Sequence, residues 1–140
     1  RTTNQKIMKA FLLLFTLLFS TSLFSQEFID DSNFEDKINK GDKFADDGHP
    51  IVVVEFWADF NKENAFKEWE QLEGVTYYRC NVADSPKSKD KYRVRMAPTI
   101  IIYKDGIKEE MYKTRLDLLP PVTLEELLQD VKELQVAQKF

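Results

Sequence analysis

The stretch IVVVEFWADFNKEN, residues 51–64, decides how the rest of the chain is interpreted. Its first part is apolar and β-branched except at Glu55, which is typical of a buried central strand. After a turn that starts beyond Trp57, apolar residues recur at helical spacing up to Leu72, which predicts a helix that begins at Asn61 and ends at Gly74. A strand followed by a turn into a helix is a common place for functional groups in α/β proteins.

The chain on either side of this stretch alternates between strand and helix patterns. Residues 28–46 predict a short strand followed by an amphipathic helix, and residues 75–82 predict another strand. Pro86 stands near the first turn of a short predicted helix. The strands that alternate with helices are expected to pair in parallel.

The C-terminal part predicts a different kind of pairing. Asp105-Gly106 lies between two strand patterns and suits a two-residue hairpin turn, which requires antiparallel strands. Thr123 and Glu126 form a capping box at the start of a last amphipathic helix. The predicted order is β-α-β-α-β-α-β-β-α, which indicates an α/β fold with a mixed central sheet and helices on both faces.

The N-terminal residues resemble a secretory signal. Lys6 and Lys9 precede an apolar run, and small residues follow it up to Gln26. We therefore predict a cleaved signal peptide over residues 1–25, in which residues 1–7 are upstream sequence, and a single domain over 26–140. The mature protein would be exported, to the periplasm or by secretion. An uncleaved membrane anchor is the alternative.

Charge and ligand content limit the function classes. The full chain has a net charge of −4, and loss of residues 1–25 would remove three basic residues and no acidic one. An acidic protein of this kind is not expected to bind nucleic acid or an anionic membrane as its main partner. Cys80 is the only cysteine and His49 the only histidine, so we predict no metal site, no cofactor and no internal disulfide. His49, next to a proline in a turn, is expected at the surface.

Three segments, in this order, resemble the thioredoxin family. VVVEFWADF (residues 52–60) is similar to the strand and turn that lead to the family's active site, and NVADSPKSKDKYRVRMAPT (81–99) to the segment that ends at its cis-proline. IIIYKDGIKEEMY (100–112) is similar to its terminal hairpin. The resemblance extends from about residue 28 to 134 and implies a thioredoxin-like fold.

The sequence departs from the family at its reactive site. The resemblance places the family's Cys-x-x-Cys pair at Asn61 and Asn64, with Lys62 and Glu63 between them. Amides form neither a thiolate nor a disulfide, so dithiol oxidoreductase chemistry is excluded at these positions. Asn61 either caps the predicted helix or takes part in binding.

Pro98 matches the family's cis-proline, beside which the backbone pairs with an extended substrate segment. The resemblance implies that Met96 and Ala97 supply those backbone groups. With Trp57 and Phe60 they would form an apolar patch that binds a protein or peptide. The alternative is that the proline only preserves the fold.

Glu55 and Cys80 are the two remaining candidates for chemistry. Glu55 matches a buried family carboxylate that acts on the second cysteine, which this chain lacks. It is then either hydrogen-bonded to its neighbours or to Lys62, or an acid of raised pKa with another task. Cys80, in a strand, is either an inert core residue or the thiol of a single-thiol oxidoreductase or redox-regulated protein.

Five basic residues are concentrated in residues 87–95, KSKDKYRVR, just before Pro98. They are either the solvated face of a helix or a basic rim that selects an acidic partner.

Overall fold

A computed structural model describes residues 27–41 and 50–137 of the 140-residue chain. The predicted signal peptide and His49 lie outside these residues. Within the described ranges, no helix combines the length and the apolar character needed to cross a membrane.

The described residues form a five-stranded sheet and three α-helices. The strands are β1 (Glu27–Ile29), β2 (Ile51–Trp57), β3 (Thr76–Asn81), β4 (Thr99–Lys104) and β5 (Ile107–Lys113), and the helices are α1 (Phe34–Lys40), α2 (Pro86–Lys91) and α3 (Leu124–Ala137). The order of the strands across the sheet is β1-β3-β2-β4-β5. β1, β3 and β2 are parallel, whereas β4 runs antiparallel to both β2 and β5. This confirms the predicted mixed sheet.

Both faces of β2 are buried, as its continuous apolar pattern predicts. Val54 and Phe56 pack on one face with Phe34 of α1. Ile51 and Val53 pack on the other face against the inner side of α3, whose Leu127 and Val131 belong to the same cluster. The sheet therefore has helices on both faces. β2 ends at Trp57, between the two core clusters.

The helix predicted from Asn61 to Leu72 is wrong. The chain instead forms two short 3₁₀-helices, Asp59–Asn64 and Trp69–Gln71, joined by residues without regular structure. The spacing of three between Phe66, Trp69 and Leu72 fits the three-residue period of a 3₁₀-turn as well as an α-helix. Phe66 and Leu72 are still buried, so the apolar pattern identified inward-facing residues but not the backbone that carries them.

The hairpin turn and the helix cap predicted in the C-terminal part of the chain are both confirmed. Asp105 and Gly106 both have positive φ, 54° and 76°, as the tight turn between β4 and β5 requires. At the start of α3 the Glu126 N–H donates to the Thr123 hydroxyl at 3.2 Å, and the Thr123 N–H donates to the Glu126 carboxylate at 3.4 Å. Local patterns are thus reliable where a turn or cap is defined by adjacent residues.

Candidate functional site

The segment Asn61–Asn64, which we call the amide turn, is held by hydrogen bonds between its two asparagines. Asn64 donates its side-chain N–H to the side-chain oxygen of Asn61 at 2.7 Å and also to the Leu118 carbonyl at 3.1 Å. Asn61 donates to the Ala97 carbonyl at 3.0 Å and to the Leu118 carbonyl at 3.1 Å. The two amides thereby join the turn after β2 to the segment before β4 and to the loop after β5.

Asn61 does not cap a helix, so the capping interpretation is wrong. It lies inside the first 3₁₀-helix with φ −126° and ψ 20°, and that helix has no side-chain cap at Ala58. Its amide is used for long-range bonds instead. No α-helix begins here, so the partial positive charge that an α-helix N-terminus would offer to an anion is missing from the amide turn.

The backbone before Pro98 is already engaged within the chain. The Ala97–Pro98 peptide bond is cis, and the Ala97 carbonyl accepts the bond from Asn61. The Met96 carbonyl accepts a bond of 2.6 Å from the Thr99 hydroxyl. The carbonyls of both residues whose backbone the resemblance assigns to an added strand therefore have an intramolecular donor.

An apolar cavity of about 220 Å³ opens beside the amide turn. Phe60 and Met96, which line it, leave 78% and 45% of their surfaces exposed, so two large apolar side chains lie in water around one concave site. Its walls include Phe60, Val82, Met96, Leu118, Lys89 and Arg95. We call it the apolar cavity; it combines exposed hydrophobic surface with two cations.

Trp57 does not line the apolar cavity, although the sequence placed it in the same patch. Its ring lies 4.6 Å from the Arg79 guanidinium carbon and 6.3 Å from the Phe28 ring. The side chain is half-buried. Trp57 thus covers Arg79, and Phe60 and Met96 form the exposed apolar surface without it.

The two central residues of the amide turn are exposed, and neither one is tied to the buried acid. Lys62 is exposed, and the two bonds of Glu55 go to Phe66 and Arg79. Of the two bonded alternatives for Glu55, the one with neighbouring groups is therefore observed and the one with Lys62 is not. We call residues 59–71, which contain both 3₁₀-helices, the 3₁₀ segment. Glu63 and Asn64 line a larger cavity, of about 720 Å³, between this segment and the start of α3.

Glu55 is fully buried and holds two parts of the chain. One carboxylate oxygen accepts the Phe66 N–H at 2.6 Å, and the other accepts the Arg79 Nε–H at 2.8 Å. Desolvation raises the pKa of the Glu55 carboxyl, and the bonds to Phe66 and Arg79 oppose that effect. Because both oxygens are occupied by these bonds, Glu55 acts as a structural anchor for the 3₁₀ segment.

Cys80 is fully buried in the core cluster that α1 covers. Burial raises the pKa of its thiol to about 11, although the Ser85 hydroxyl acts in the opposite direction. A thiol of this kind is protonated at neutral pH and out of reach of a disulfide. The geometry gives the single-thiol alternative no support.

Sequence reasoning missed Leu118 and Arg79. Leu118 has a positive φ of 58°, rare for a residue with a branched side chain, and its carbonyl receives both asparagines. No local pattern marks it, since it lies 57 residues after Asn61. Arg79 pairs directly with Glu55 across β2 and β3, and that register could have been found from the two strand patterns. Among the described residues, no cluster of histidine, cysteine and carboxylate side chains is arranged to hold a metal.

Comparisons with known proteins agree with this geometry. The family model described as Thioredoxin matches residues 25–119. A thioredoxin from Rhodospirillum rubrum is 29% identical over 103 residues, which cover 69% of this chain and 89% of that protein. An M-type chloroplastic thioredoxin from Brassica napus is 30% identical over 69% of this chain and 52% of its own length.

Solved structures show the same fold. Thioredoxin f2 of Chlamydomonas reinhardtii has a TM-score of 0.58 at 14% identity, with 79% of this chain and 97% of that chain covered. A mutant thioredoxin from Halobacterium salinarum has a TM-score of 0.53 at 15% identity, with 78% of this chain and 89% of that chain covered. At this level of identity the likeness concerns the architecture alone.

Proposed function

Because the chain belongs to the thioredoxin family but carries asparagines where the family has its reactive thiols, we propose that it is a redox-inactive binding domain. It binds a protein or peptide at the apolar cavity next to the amide turn. The observation that carries this proposal is the hydrogen-bonded pair Asn61 and Asn64, which fills the position of a reactive site with a bridge to Ala97 and Leu118.

The exposed side chains around the bridge support binding. Phe60 and Met96 keep much of their apolar surface in water beside a concave site, and burying such surface is worth roughly 25 cal/mol per Å². Since the Ala97 and Met96 carbonyls each accept an intramolecular bond, the proposal assigns the main contact with the partner to side chains that enter the cavity. Methionine adapts readily to such partners.

A binding test uses two substitutions in the cavity wall. Phe60→Asp and Met96→Asp place charges on exposed surface, so the fold should survive while an apolar partner is repelled. Ile107→Asp, in the hairpin and 64% exposed, is the control for a single charge introduced at an exposed apolar position outside the cavity. Partners cross-linked to the native protein and to the control should be lost from the double variant. An unchanged set of partners in the double variant would contradict the proposed surface.

Redox inactivity has its own test. The purified protein, mixed with dithiothreitol, should reduce insulin no faster than dithiothreitol alone, because Cys80 is buried and the amide turn has no thiol. Catalysed reduction that disappears in Cys80→Ser would support a single-thiol enzyme instead. Among the described residues, no contact favours that second candidate.

We also propose that the domain is exported. The basis is the sequence of residues 1–25 alone, with its basic start, apolar centre and small residues. N-terminal sequencing of the protein recovered from cells should begin after Ser25. An intact N-terminus in a membrane fraction would indicate an anchor.

A further inference from the structure

A second cavity, of about 360 Å³, shares Arg95 and Met96 with the apolar cavity. We call it the basic cavity. Its walls carry three cations, Arg93, Arg95 and Lys113, and the thioether side chains of Met96 and Met111. Its only other lining residues are threonines, so among the described residues no carboxylate faces the cations within it.

The fold brings these cations together from two distant segments. Val94 is buried in the core, and its neighbours Arg93 and Arg95 are both exposed at the surface. Arg93 has a positive φ of 56° at the end of the turn that follows α2. Lys113 is the last residue of β5 and pairs with Thr99, so both side chains leave the sheet on the same face.

None of the three cations forms an ion pair within the part of the chain that the structure describes. Its ion pairs join lysines or Arg79 to Glu27, Asp36, Glu55 and Glu35, and none includes Arg93, Arg95 or Lys113. The chain as a whole is acidic, with a net charge of −4, so this cluster is a local exception. Like charges around one opening repel each other, and a bound anion would relieve that repulsion.

We propose that the basic cavity binds the carboxylates of an acidic segment of a partner protein, whose adjacent apolar side chain enters the apolar cavity. This rests on the proposed function, since it assigns the chemistry of the partner at that same surface. Guanidinium groups pair with carboxylates through two parallel hydrogen bonds, and the methionines accept the aliphatic part of the chain. The overall acidity of the protein disfavours a long polyanion such as nucleic acid.

The probe for this proposal is a fluorescein-labelled peptide that carries one leucine next to a run of aspartates. Its affinity for the purified protein is measured by fluorescence anisotropy, and we expect it to decrease as salt is added. Arg93→Glu combined with Lys113→Glu should weaken binding about tenfold or more, because these two side chains line the basic cavity and do not line the apolar cavity. Lys108→Glu combined with Lys132→Glu makes the same change in net charge at exposed positions outside the cavity and should leave the affinity unchanged.

The outcomes separate the two proposals. If the peptide binds equally well after its aspartates are replaced by asparagines, or if both double variants weaken binding equally, the basic cavity is not an acid-selective site, although binding at the apolar cavity stands. Phe60 lines the apolar cavity and not the basic cavity, so if replacing the leucine by serine and introducing Phe60→Asp change nothing, the proposed function fails. A labelled single-stranded oligonucleotide that binds more tightly than the peptide would also overturn the assignment to an acidic protein segment.

Discussion

Asn64 donates its side-chain amide to the side-chain oxygen of Asn61 at 2.7 Å, and both residues donate to the Leu118 carbonyl at 3.1 Å. At the two positions where the resemblance to the thioredoxin family places the reactive thiols, the asparagines form a structural bridge. It fixes the loop after β5 against the turn after β2 and so shapes one wall of the apolar cavity. Removing or altering the bridge is therefore the most direct test of the site.

Asn61→Ala should destabilise the protein by about 1–3 kcal/mol. The substitution leaves the Ala97 carbonyl without its side-chain donor, and it removes one of the two side-chain donors to the Leu118 carbonyl and the acceptor of the Asn64 amide, all in a partly buried position. Urea unfolding followed by circular dichroism measures the change. Lys62→Ala, at an exposed position in the same turn, is the control and should stay within about 0.5 kcal/mol of the native protein. Equal effects of the two substitutions would show that the bridge contributes nothing.

Restoring the thiols should not restore a reactive site. In a protein with both Asn61→Cys and Asn64→Cys, the new thiols would lie in a 3₁₀-helix rather than at an α-helix N-terminus. Their pKa is expected near the ordinary value of about 8.5. The pH dependence of iodoacetamide labelling measures it, in a Cys80→Ser background. A thiol pKa below about 7 would mean that the turn itself, and not a helix dipole, activates the sulfur.

Stability should fall with rising pH because of Glu55. Burial raises the pKa of this carboxyl in the folded state, so between the ordinary value of 4.5 and the raised value the folded protein binds more protons than the unfolded chain. The contribution of Glu55 to the free energy of unfolding therefore decreases as pH rises from about 4.5 through that window. Denaturant titrations of the native protein and Glu55→Gln at several pH values give this contribution as their difference. If the stability advantage of the native protein over Glu55→Gln instead grew with pH, the pKa of Glu55 in the folded state would be lowered and not raised.

The same carboxylate can be tested by removal. Glu55→Ala should cost about 3–5 kcal/mol, because it leaves the Arg79 guanidinium largely buried without its partner. Glu55→Ala combined with Arg79→Ala should recover part of that loss. An additive double variant would show that the two side chains do not depend on one another.

Cys80 should react with a thiol reagent only when the protein unfolds. The residue is fully buried and its pKa is raised to about 11, so both access and ionisation oppose reaction. The labelling rate by dithionitrobenzoate should follow global unfolding as urea is added. Fast labelling without denaturant would place Cys80 at an accessible site and revive a redox role.

The sequence predicts the parts of this fold that depend on near neighbours. The β2 strand, the Asp105-Gly106 turn and the Thr123–Glu126 cap each follow from adjacent residues, and each is observed. The helix predicted after Asn61 is not observed, and in its place the Phe66 N–H donates to Glu55, a residue eleven positions earlier in the chain. Apolar residues spaced three positions apart do not reveal that bond.

The candidate site follows the same division. The family resemblance located the amide turn and the segment before Pro98, which the structure brings together through Asn61 and Ala97. It did not reveal Leu118 or Lys113, because these residues meet the site only after β5 has paired with β4. Partners separated by half the chain depend on topology, which local patterns do not encode.

The bond from the Phe66 N–H to Glu55 has a consequence for hydrogen exchange. The 3₁₀ segment lacks the continuous backbone ladder of an α-helix, so few of its amides should resist exchange with solvent. The Phe66 amide is the exception, since it donates to a buried carboxylate at 2.6 Å. The protection of the Phe66 amide against exchange should therefore equal that of the amides in the central strands and exceed that of its neighbours in the chain. The exchange rate of this one proton would then show whether the 3₁₀ segment opens by itself or together with the sheet.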